Sequence, residues 1–154
     1  VFAFEPAEDS FECLTENTKH IPNVERVRCA IGDVAGFTRM GQDTRWEANT
    51  GGRFLDPDNV ADTKAPGMVQ VKRLDSFDWA CLDLLKLDVE GYELFALKGA
   101  ERALLMHRPV IIAEFKPRLL GKFGVERQAV DRYLTGLGAR MVVQIGPDRI
   151  YAWS

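Results

Sequence analysis

Three short apolar runs of this chain each end in a carboxylate, a side chain that can bind a cation or accept a proton. These acids are Glu5, Asp88 and Glu114, and the runs that they end cover residues 2–5, 82–88 and 110–114. Short apolar runs bounded by charge or proline are typical of buried β-strands. Because ligands of open α/β sheets bind at the carboxyl ends of the strands, the pattern predicts a polar site built from strand ends.

The most informative stretch is Asp88-Val89-Glu90-Gly91, which follows an apolar run and precedes a segment of helical periodicity. Asp88 ends the predicted strand directly, where an acid has few structural uses. It could anchor a cationic group of a ligand, or it could help to deprotonate a hydroxyl. Glu90 has a second interpretation, because an acid in the first turn of a helix is stabilised by the helix dipole.

Glu114 and Lys116 flank the end of the neighbouring predicted strand. Glu114 could join Asp88 in holding a divalent cation, since oxygen ligands suit magnesium. We favour a pocket carboxylate without a metal. His20 and His107 lie beside predicted turns, where histidines are more often surface residues than catalytic bases.

Strand and helix patterns alternate along the chain and must position these acids. Strands are predicted at residues 1–5, 24–31, 68–71, 82–88 and 109–115, the strand at 68–71 as an edge strand, and helices at 10–18, 94–104 and 126–137. This alternation predicts an α/β fold with a mostly parallel sheet and helices on its faces. The last strands, residues 141–145 and 149–153, are joined by Gly146-Pro147-Asp148, which is too short for a parallel return and therefore predicts an antiparallel hairpin.

Residues 41–67 are polar, rich in glycine, aspartate, asparagine and proline, and show no clear periodicity. A loop of this length inside a compact domain is usually functional or disordered. We interpret it as a substrate-side loop of a single domain. Its residues that could shape an acceptor pocket are Trp46, Asn49, Gly51, Gly52 and Phe54.

Composition narrows the class of protein. The chain has 154 residues, of which 46% are hydrophobic and 28% charged, as expected of one soluble domain. The net charge of −3 and the lack of a basic block argue against a nucleic-acid partner, and no apolar run is long enough to span a membrane. Cys13, Cys29 and Cys81 are widely spaced among apolar neighbours, which predicts buried thiols in a reducing, cytoplasmic compartment.

Three segments together carry a specific pattern. They are Val1-Phe2-Ala3-Phe4-Glu5-Pro6 with Phe11; Ala30-Ile31-Gly32-Asp33 with Gly36; and Leu87-Asp88-Val89-Glu90-Gly91 with Glu93, Leu97, Lys98, Gly99 and Ala100, followed by Pro109 and Glu114. With these residues, the chain resembles the FkbM family of S-adenosylmethionine-dependent methyltransferases. The resemblance implies the Rossmann-like class I methyltransferase fold, with its final antiparallel hairpin.

The resemblance also implies roles for individual residues. Glu5, followed by Pro6, matches the acid that binds the two ribose hydroxyls of the cofactor, since a carboxylate can accept both hydrogen bonds. The residues that match the segment bordering the adenine are Ile31, Gly32 and Asp33. Asp88 and Glu90 match carboxylates under the methyl-transfer pocket, and Glu114 is a third candidate catalytic acid. Asp88 is also a candidate to hold the amino group of the cofactor.

The expected activity is therefore methyl transfer to a hydroxyl of a small molecule or glycan, such as a sugar or secondary metabolite. A nicotinamide-dependent oxidoreductase and a non-catalytic, degenerate methyltransferase domain are the alternatives. The Asp-x-Gly-x-Asx-x-Gly loop of the family does not occur in residues 1–154. We therefore expect an N-terminally truncated domain, with a gap in the sheet beside the strand at residues 1–5.

Overall fold

The computed structural model describes residues 1–42, 53–56 and 60–153 of the chain. The strands are β1 (Phe2–Phe4), β2 (Glu25–Val27), β3 (Ala30–Ile31), β4 (Gly36–Gln42), β5 (Arg53–Leu55), β6 (Met68–Lys72), β7 (Leu84–Leu87), β8 (Val110–Glu114), β9 (Ala139–Ile145) and β10 (Asp148–Trp153). The helices are α1 (Glu8–Thr18), α2 (Glu93–Lys98), α3 (Glu101–His107), α4 (Pro117–Leu120) and α5 (Arg127–Gly136).

Within the described residues, the strands form three sheets in place of the predicted single sheet. Their strand orders are β1-β2, β7-β8-β10-β9 and β3-β6-β4-β5. Pairing is parallel in β1–β2, β3–β6 and β7–β8 and antiparallel elsewhere. The architecture is thus mixed α/β, and the predicted terminal hairpin is confirmed, because β9 and β10 pair antiparallel.

A tight turn explains why the strand predicted at residues 24–31 is divided. The Cys29 N–H donates to the Val27 carbonyl oxygen at 3.0 Å, a hydrogen bond between residues two apart that defines a γ-turn centred on Arg28. The turn separates β2 from β3, and the two strands join different sheets. The predicted position of β6 at an edge was also wrong, since β6 lies between β3 and β4 with Val71 buried.

Neither β1 nor β7 has a second strand partner among the described residues. β1 pairs with β2, and β7 pairs with β8. The predicted gap beside β1 stays a prediction, because these pairings do not identify what neighbours the two open edges.

The core lies between the helices and one face of the β7-β8-β10-β9 sheet. Leu85, Leu87 and Ile111 point into it from the sheet, and Leu97 and Leu104 meet them from α2 and α3. Complete burial of a leucine side chain stabilises a fold by about 1.5–3 kcal/mol. On the opposite face of the sheet, the side chains are more exposed, among them Leu84, Val110 and Val143. The described helices therefore cover one face of this sheet.

The helix predicted at residues 94–104 is broken into α2 and α3. At the break, a Cβ on Gly99 would lie 2.0 Å from the Gly32 carbonyl oxygen, so the two backbones are in direct contact. The Asp75 carboxylate then caps α3, accepting the N–H groups of Arg102 at 3.1 Å and Ala103 at 3.0 Å. A helix continuing through this point would lose both the backbone contact and the cap.

Two of the three cysteines differ from the prediction. Cys29 is buried, whereas Cys13 and Cys81 are exposed, and all three are free thiols. Cys13 lies on α1, a helix that has no buried residue. In the part of the chain that the structure describes, no helix is both long and apolar enough to cross a membrane.

The contact between Gly99 and Gly32 predicts a specific loss of stability. Gly99→Ala should destabilise the fold by about 1–3 kcal/mol or more, because the added methyl group meets backbone that cannot move aside cheaply. Gly99 has an ordinary φ of −71°, so the loss would not come from backbone strain. Urea denaturation of the variant and the parent protein measures the difference.

Gly136→Ala is the matched control. Gly136 ends α5 and has no atom within 4 Å of its ideal Cβ position. Here alanine should raise stability by about 0.5–1 kcal/mol, since it loses less conformational freedom than glycine in a helix. Equal effects of the two substitutions would contradict the assigned role of the contact.

Candidate functional site

The carboxyl ends of β1, β3 and β7 open into one cavity of about 310 Å³, which β4 and β5 close from the side. Its lining combines apolar walls with carboxylates. The residues are Phe4, Glu5, Pro6, Ser10, Cys29, Ala30, Ile31, Met40, Arg53, Phe54, Leu55, Asp88, Val89 and Glu90. Three strand ends thus meet at one site, although their strands belong to three different sheets.

Glu5 is held firmly at the end of β1. Its Oε1 accepts the Ala7 N–H at 2.8 Å, where the chain turns into α1. Its own N–H donates to the Val27 carbonyl oxygen at 3.2 Å, which extends the pairing with β2. The backbone and the side chain of Glu5 are therefore both fixed at the wall of the cavity, next to Pro6.

A charged pair closes the same side of the cavity. Arg53 on β5 donates two hydrogen bonds to the carboxylate of Asp9 in the first turn of α1. The Arg53 hydrogen bond lowers the pKa of Asp9 to about 2. The charge of Glu5 also raises the pKa of Arg53, although less than the bond to Asp9 does. The positive charge of Arg53, near Glu5, is therefore balanced by Asp9.

Asp88 and Glu90, which also line the cavity, belong to a group of charges around Lys116. Lys116 Nζ lies 2.8 Å from Glu114 Oε2 and 3.9 Å from Glu90 Oε1. Asp88 is about half exposed and lies 3.6 Å from Lys86 Nζ. Glu114 does not line the cavity, and it is connected to the site through its ion pair with Lys116.

Burial raises the pKa of the Glu90 carboxyl above its ordinary value of 4.5. Lys116 opposes this rise, whereas the neighbouring charges of Asp88 and Glu114 add to it. The backbone of Glu90 is also unusual, because its φ of 54° is in the left-handed region. Perturbed carboxyl groups and strained backbone together are typical of functional sites.

Only part of the segment predicted to border the adenine lines the cavity. Ile31 lines the cavity, whereas Gly32 and Asp33 do not. The Gly32 N–H donates to the Lys72 carbonyl oxygen at 3.0 Å. Asp33 lies in a separate surface cleft, and its carbonyl oxygen accepts a hydrogen bond of 2.7 Å from Arg73. The assigned adenine contacts of these residues stay predictions.

Other lining residues were not predicted from the sequence. Ser10 and Arg53 line the cavity from α1 and β5, and Met40 lines it from β4. Phe54 was included among the candidate pocket residues of the 41–67 loop, and it does line the cavity, with Lys122 Nζ 3.8 Å from its ring centroid. The other candidates of that loop, Trp46, Asn49, Gly51 and Gly52, lie outside the described residues.

The signal that could have identified β5 is Arg53-Phe54-Leu55, a charged residue followed by two apolar ones within a polar loop. It is too short to be assigned without its partner β4. As for metals, the described ranges contain no group of three or more histidine, cysteine, aspartate or glutamate residues suited to hold an ion.

Comparison with known proteins identifies a family and a similar solved structure. A protein-family model described as the methyltransferase FkbM domain matches residues 1–141. Among solved structures, the chain is similar to the crystal structure of methyltransferase FkbM from Methylobacillus flagellatus KT, with a TM-score of 0.59 and 16% sequence identity. The match covers 99% of this chain and 36% of that chain. At this identity, the likeness concerns the fold alone. No match was found among curated proteins.

The pKa of Glu90 predicts how stability depends on pH. A carboxyl whose pKa is higher in the folded chain favours folding when protonated, so its contribution is fully present below about pH 4.5 and is lost as pH rises through the raised value. Glu90→Gln should therefore be more stable than the parent protein at pH 7, and the two should converge below about pH 4.5.

Thermal or urea unfolding between pH 4 and 8 would measure this difference. Glu12→Gln, which removes the same charge from the exposed side of α1, is the control and should show no comparable convergence. A Glu90→Gln variant that is less stable at pH 7 would mean that the ion pair with Lys116 outweighs the burial of the charge.

Proposed function

Because the chain belongs to the methyltransferase FkbM domain family, we propose that it takes part in S-adenosylmethionine-dependent O-methylation of a sugar or secondary-metabolite hydroxyl. One observation carries this proposal: a single cavity is lined by Glu5 and by both Asp88 and Glu90. The lining offers an acceptor for hydroxyl groups and further negative charge in the same cavity. A sulfonium cofactor with a ribose needs both.

The chemistry of the lining fits the cofactor. One oxygen of Glu5 accepts the Ala7 N–H, which orients the carboxylate and leaves acceptor positions for the hydroxyls of a ribose. Phe4, Ile31 and Leu55 provide apolar surface of the kind that packs against a flat base. The negative charges of Asp88 and Glu90 would attract the ammonium and sulfonium groups.

The bound cofactor would supply an electrophilic methyl group, and the protein has to hold the acceptor in line with it and remove a proton. Alignment of the two reactants provides most of the acceleration in such a transfer. With Glu5 assigned to the ribose, Asp88 and Glu90 are the two lining carboxylates that could accept the hydroxyl proton. Burial raises the pKa of the Glu90 carboxyl, which suits a proton acceptor, and Lys116, paired with Glu114, lies 3.9 Å from it.

The charge of the cavity supports an uncharged acceptor. Arg53 is already paired with Asp9, and Lys116 with Glu114, so these two cations near the site are balanced by carboxylates. An anionic acceptor would have to break one of these pairs or bind beside three acids. A neutral hydroxyl compound meets neither obstacle.

The first test is cofactor affinity. Glu5→Gln should weaken S-adenosylmethionine binding by about 10- to 100-fold, because hydrogen bonds to a charged carboxylate contribute about 1.5–3 kcal/mol and the amide accepts only through one oxygen. Calorimetry on the protein expressed from its complete gene measures the change. Glu8→Gln is the control, since Glu8 pairs with Arg28 and does not line the cavity.

Unchanged affinity in Glu5→Gln would remove Glu5 from the cofactor site. Tighter binding of NAD than of S-adenosylmethionine would instead support a nicotinamide-dependent oxidoreductase.

The second test is turnover. Asp88→Asn keeps the size of the side chain and removes its charge and basicity, so the rate of methyl transfer should fall by about 100-fold or more if Asp88 acts as the base. Asp83→Asn, at the opposite end of the β7 strand and outside the cavity, is the control and should retain its rate.

The cofactor affinity of the same variants separates the two roles of Asp88. If Asp88 holds the cofactor ammonium, affinity and rate should fall together, whereas an acceptor role should lower the rate alone. Near-normal turnover of Asp88→Asn would direct the search for the base to Glu90. Cofactor binding without transfer to any acceptor would support a non-catalytic domain.

A further inference from the structure

The connection between β7 and α2 contains a tight turn with unusual backbone angles. The Tyr92 N–H donates to the Val89 carbonyl oxygen at 3.2 Å, which closes a β-turn over residues 89–92. Its two central residues, Glu90 and Gly91, have φ values of 54° and 102°. Positive φ at both central positions is the pattern of a type I′ turn, in which glycine, asparagine and aspartate predominate. Glutamate at the first central position is therefore held there by its surroundings.

Packing on one side of the turn leaves no room for adjustment. A Cβ on Gly91 would lie 2.5 Å from the Leu119 carbonyl oxygen. The turn is thus pressed against α4 by its backbone, and glycine is required at its second central position for both space and conformation. This contact limits where the turn can lie, but it does not supply a partner for the backbone N–H groups.

The partner is Glu93, the first residue of α2. The residue is 1% exposed, and its Oε1 accepts the Gly91 N–H at 3.1 Å. Its Oε2 is buried without a hydrogen-bond partner among the described residues. Burying a carboxyl group costs free energy unless hydrogen bonds compensate for the lost contacts with water. Holding the turn with Glu93 therefore costs free energy, which indicates that the turn positions a group of the site.

Electrostatics around Glu93 agree with this geometry. Burial raises the pKa of the Glu93 carboxyl, and the Gly91 N–H that donates to this carboxyl partly opposes the rise. The carboxyl group thus faces the inside of the turn, while Asp88 and Glu90 line the cavity from the same short segment.

We propose that Glu93 is the positioning residue of the site, which holds the 89–92 turn through Gly91 and so directs Asp88 and Glu90 toward the cavity. The inference rests on the proposed function for its link to methyl transfer. Glu93 does not line the cavity and touches no reacting group in this arrangement. Its effect passes through the backbone of the turn.

The experiment compares Glu93→Ala with Glu93→Gln in the protein expressed from its complete gene. Alanine removes the acceptor of the Gly91 N–H, whereas glutamine keeps one oxygen in nearly the same place. Glu101→Ala is the control, because it removes an exposed acid from the first turn of the next helix. Two readouts are needed: amide hydrogen exchange and steady-state kinetics of methyl transfer.

In Glu93→Ala, we expect exchange of the Gly91 amide to become about 10-fold faster, the effect of losing a hydrogen bond of about 1.4 kcal/mol. The rate of methyl transfer should fall by at least about 10-fold, because Asp88 and Glu90 would no longer be held toward the cavity. Glu93→Gln should restore both the protection of Gly91 and the rate. Glu101→Ala should change neither.

The Leu104 amide, bonded to the Ala100 carbonyl oxygen at 2.8 Å in the core, is the internal reference. Faster exchange at Leu104 as well would indicate general destabilisation by alanine, and Glu93→Gln then decides. Retained protection and rate in that variant support the proposal, and loss of either overturns it.

Unchanged protection of Gly91 in Glu93→Ala would overturn the proposal. So would a loosened turn with an undiminished rate. If the parent protein methylates no acceptor, the proposed function fails, and the exchange at Gly91 still decides whether Glu93 holds the turn.

Discussion

The close approach of Gly99 and Gly32 is the constraint on which the cavity depends. The three sheets share no strand pairing among the described residues, so their relative positions rest on packing between elements. At Gly99, two backbones touch directly, and the Asp75 N–H donates to the Gly99 carbonyl oxygen at 2.9 Å. Arg73 joins the same region by donating to the Asp33 carbonyl oxygen at 2.7 Å. These contacts join the segments that follow β3 and β6 to the end of α2, the helix that comes after β7 in the chain.

Polar groups in the interior are used in two different ways. Arg149 and Tyr151 on β10 both donate to Asp131 on α5, and although burial raises the pKa of Asp131, these bonds lower it overall. This group joins a helix to the sheet with its charges paired, which is the condition for burying them. Glu93 is different, because the hydrogen bond that its carboxylate accepts comes from the backbone of a turn and not from a cation. Its Oε2, like Nε of Arg149, has no hydrogen-bond partner in the described structure, so the strained turn is the feature that is typical of a functional site.

The candidate site could be predicted from sequence to the extent that it consists of strand ends. Glu5 and Asp88 end short apolar runs, and side chains at such positions lie at the rim of a sheet whichever sheet the strand joins. This is why both line the cavity although β1 and β7 are not in one sheet. Arg53 shows the limit of this inference, because it reaches the cavity only where β5 pairs with β4. Asp33 lies outside the cavity, and its adenine contact stays a prediction.

The sequence by itself determined the family, the terminal hairpin and the acids at strand ends, because each depends on residues close together in the chain. The connection of two residues, Gly146 and Pro147, is too short for a parallel return and requires an antiparallel one. The spacing of Leu97 and Leu104 predicts that both are buried on one helix face. Only the tertiary structure decided the division into three sheets, the break at Gly99 and the role of Glu93. These depend on atoms far apart in sequence, and hydrophobic periodicity contains no information about which backbone will touch which, or where a buried carboxylate finds its donors.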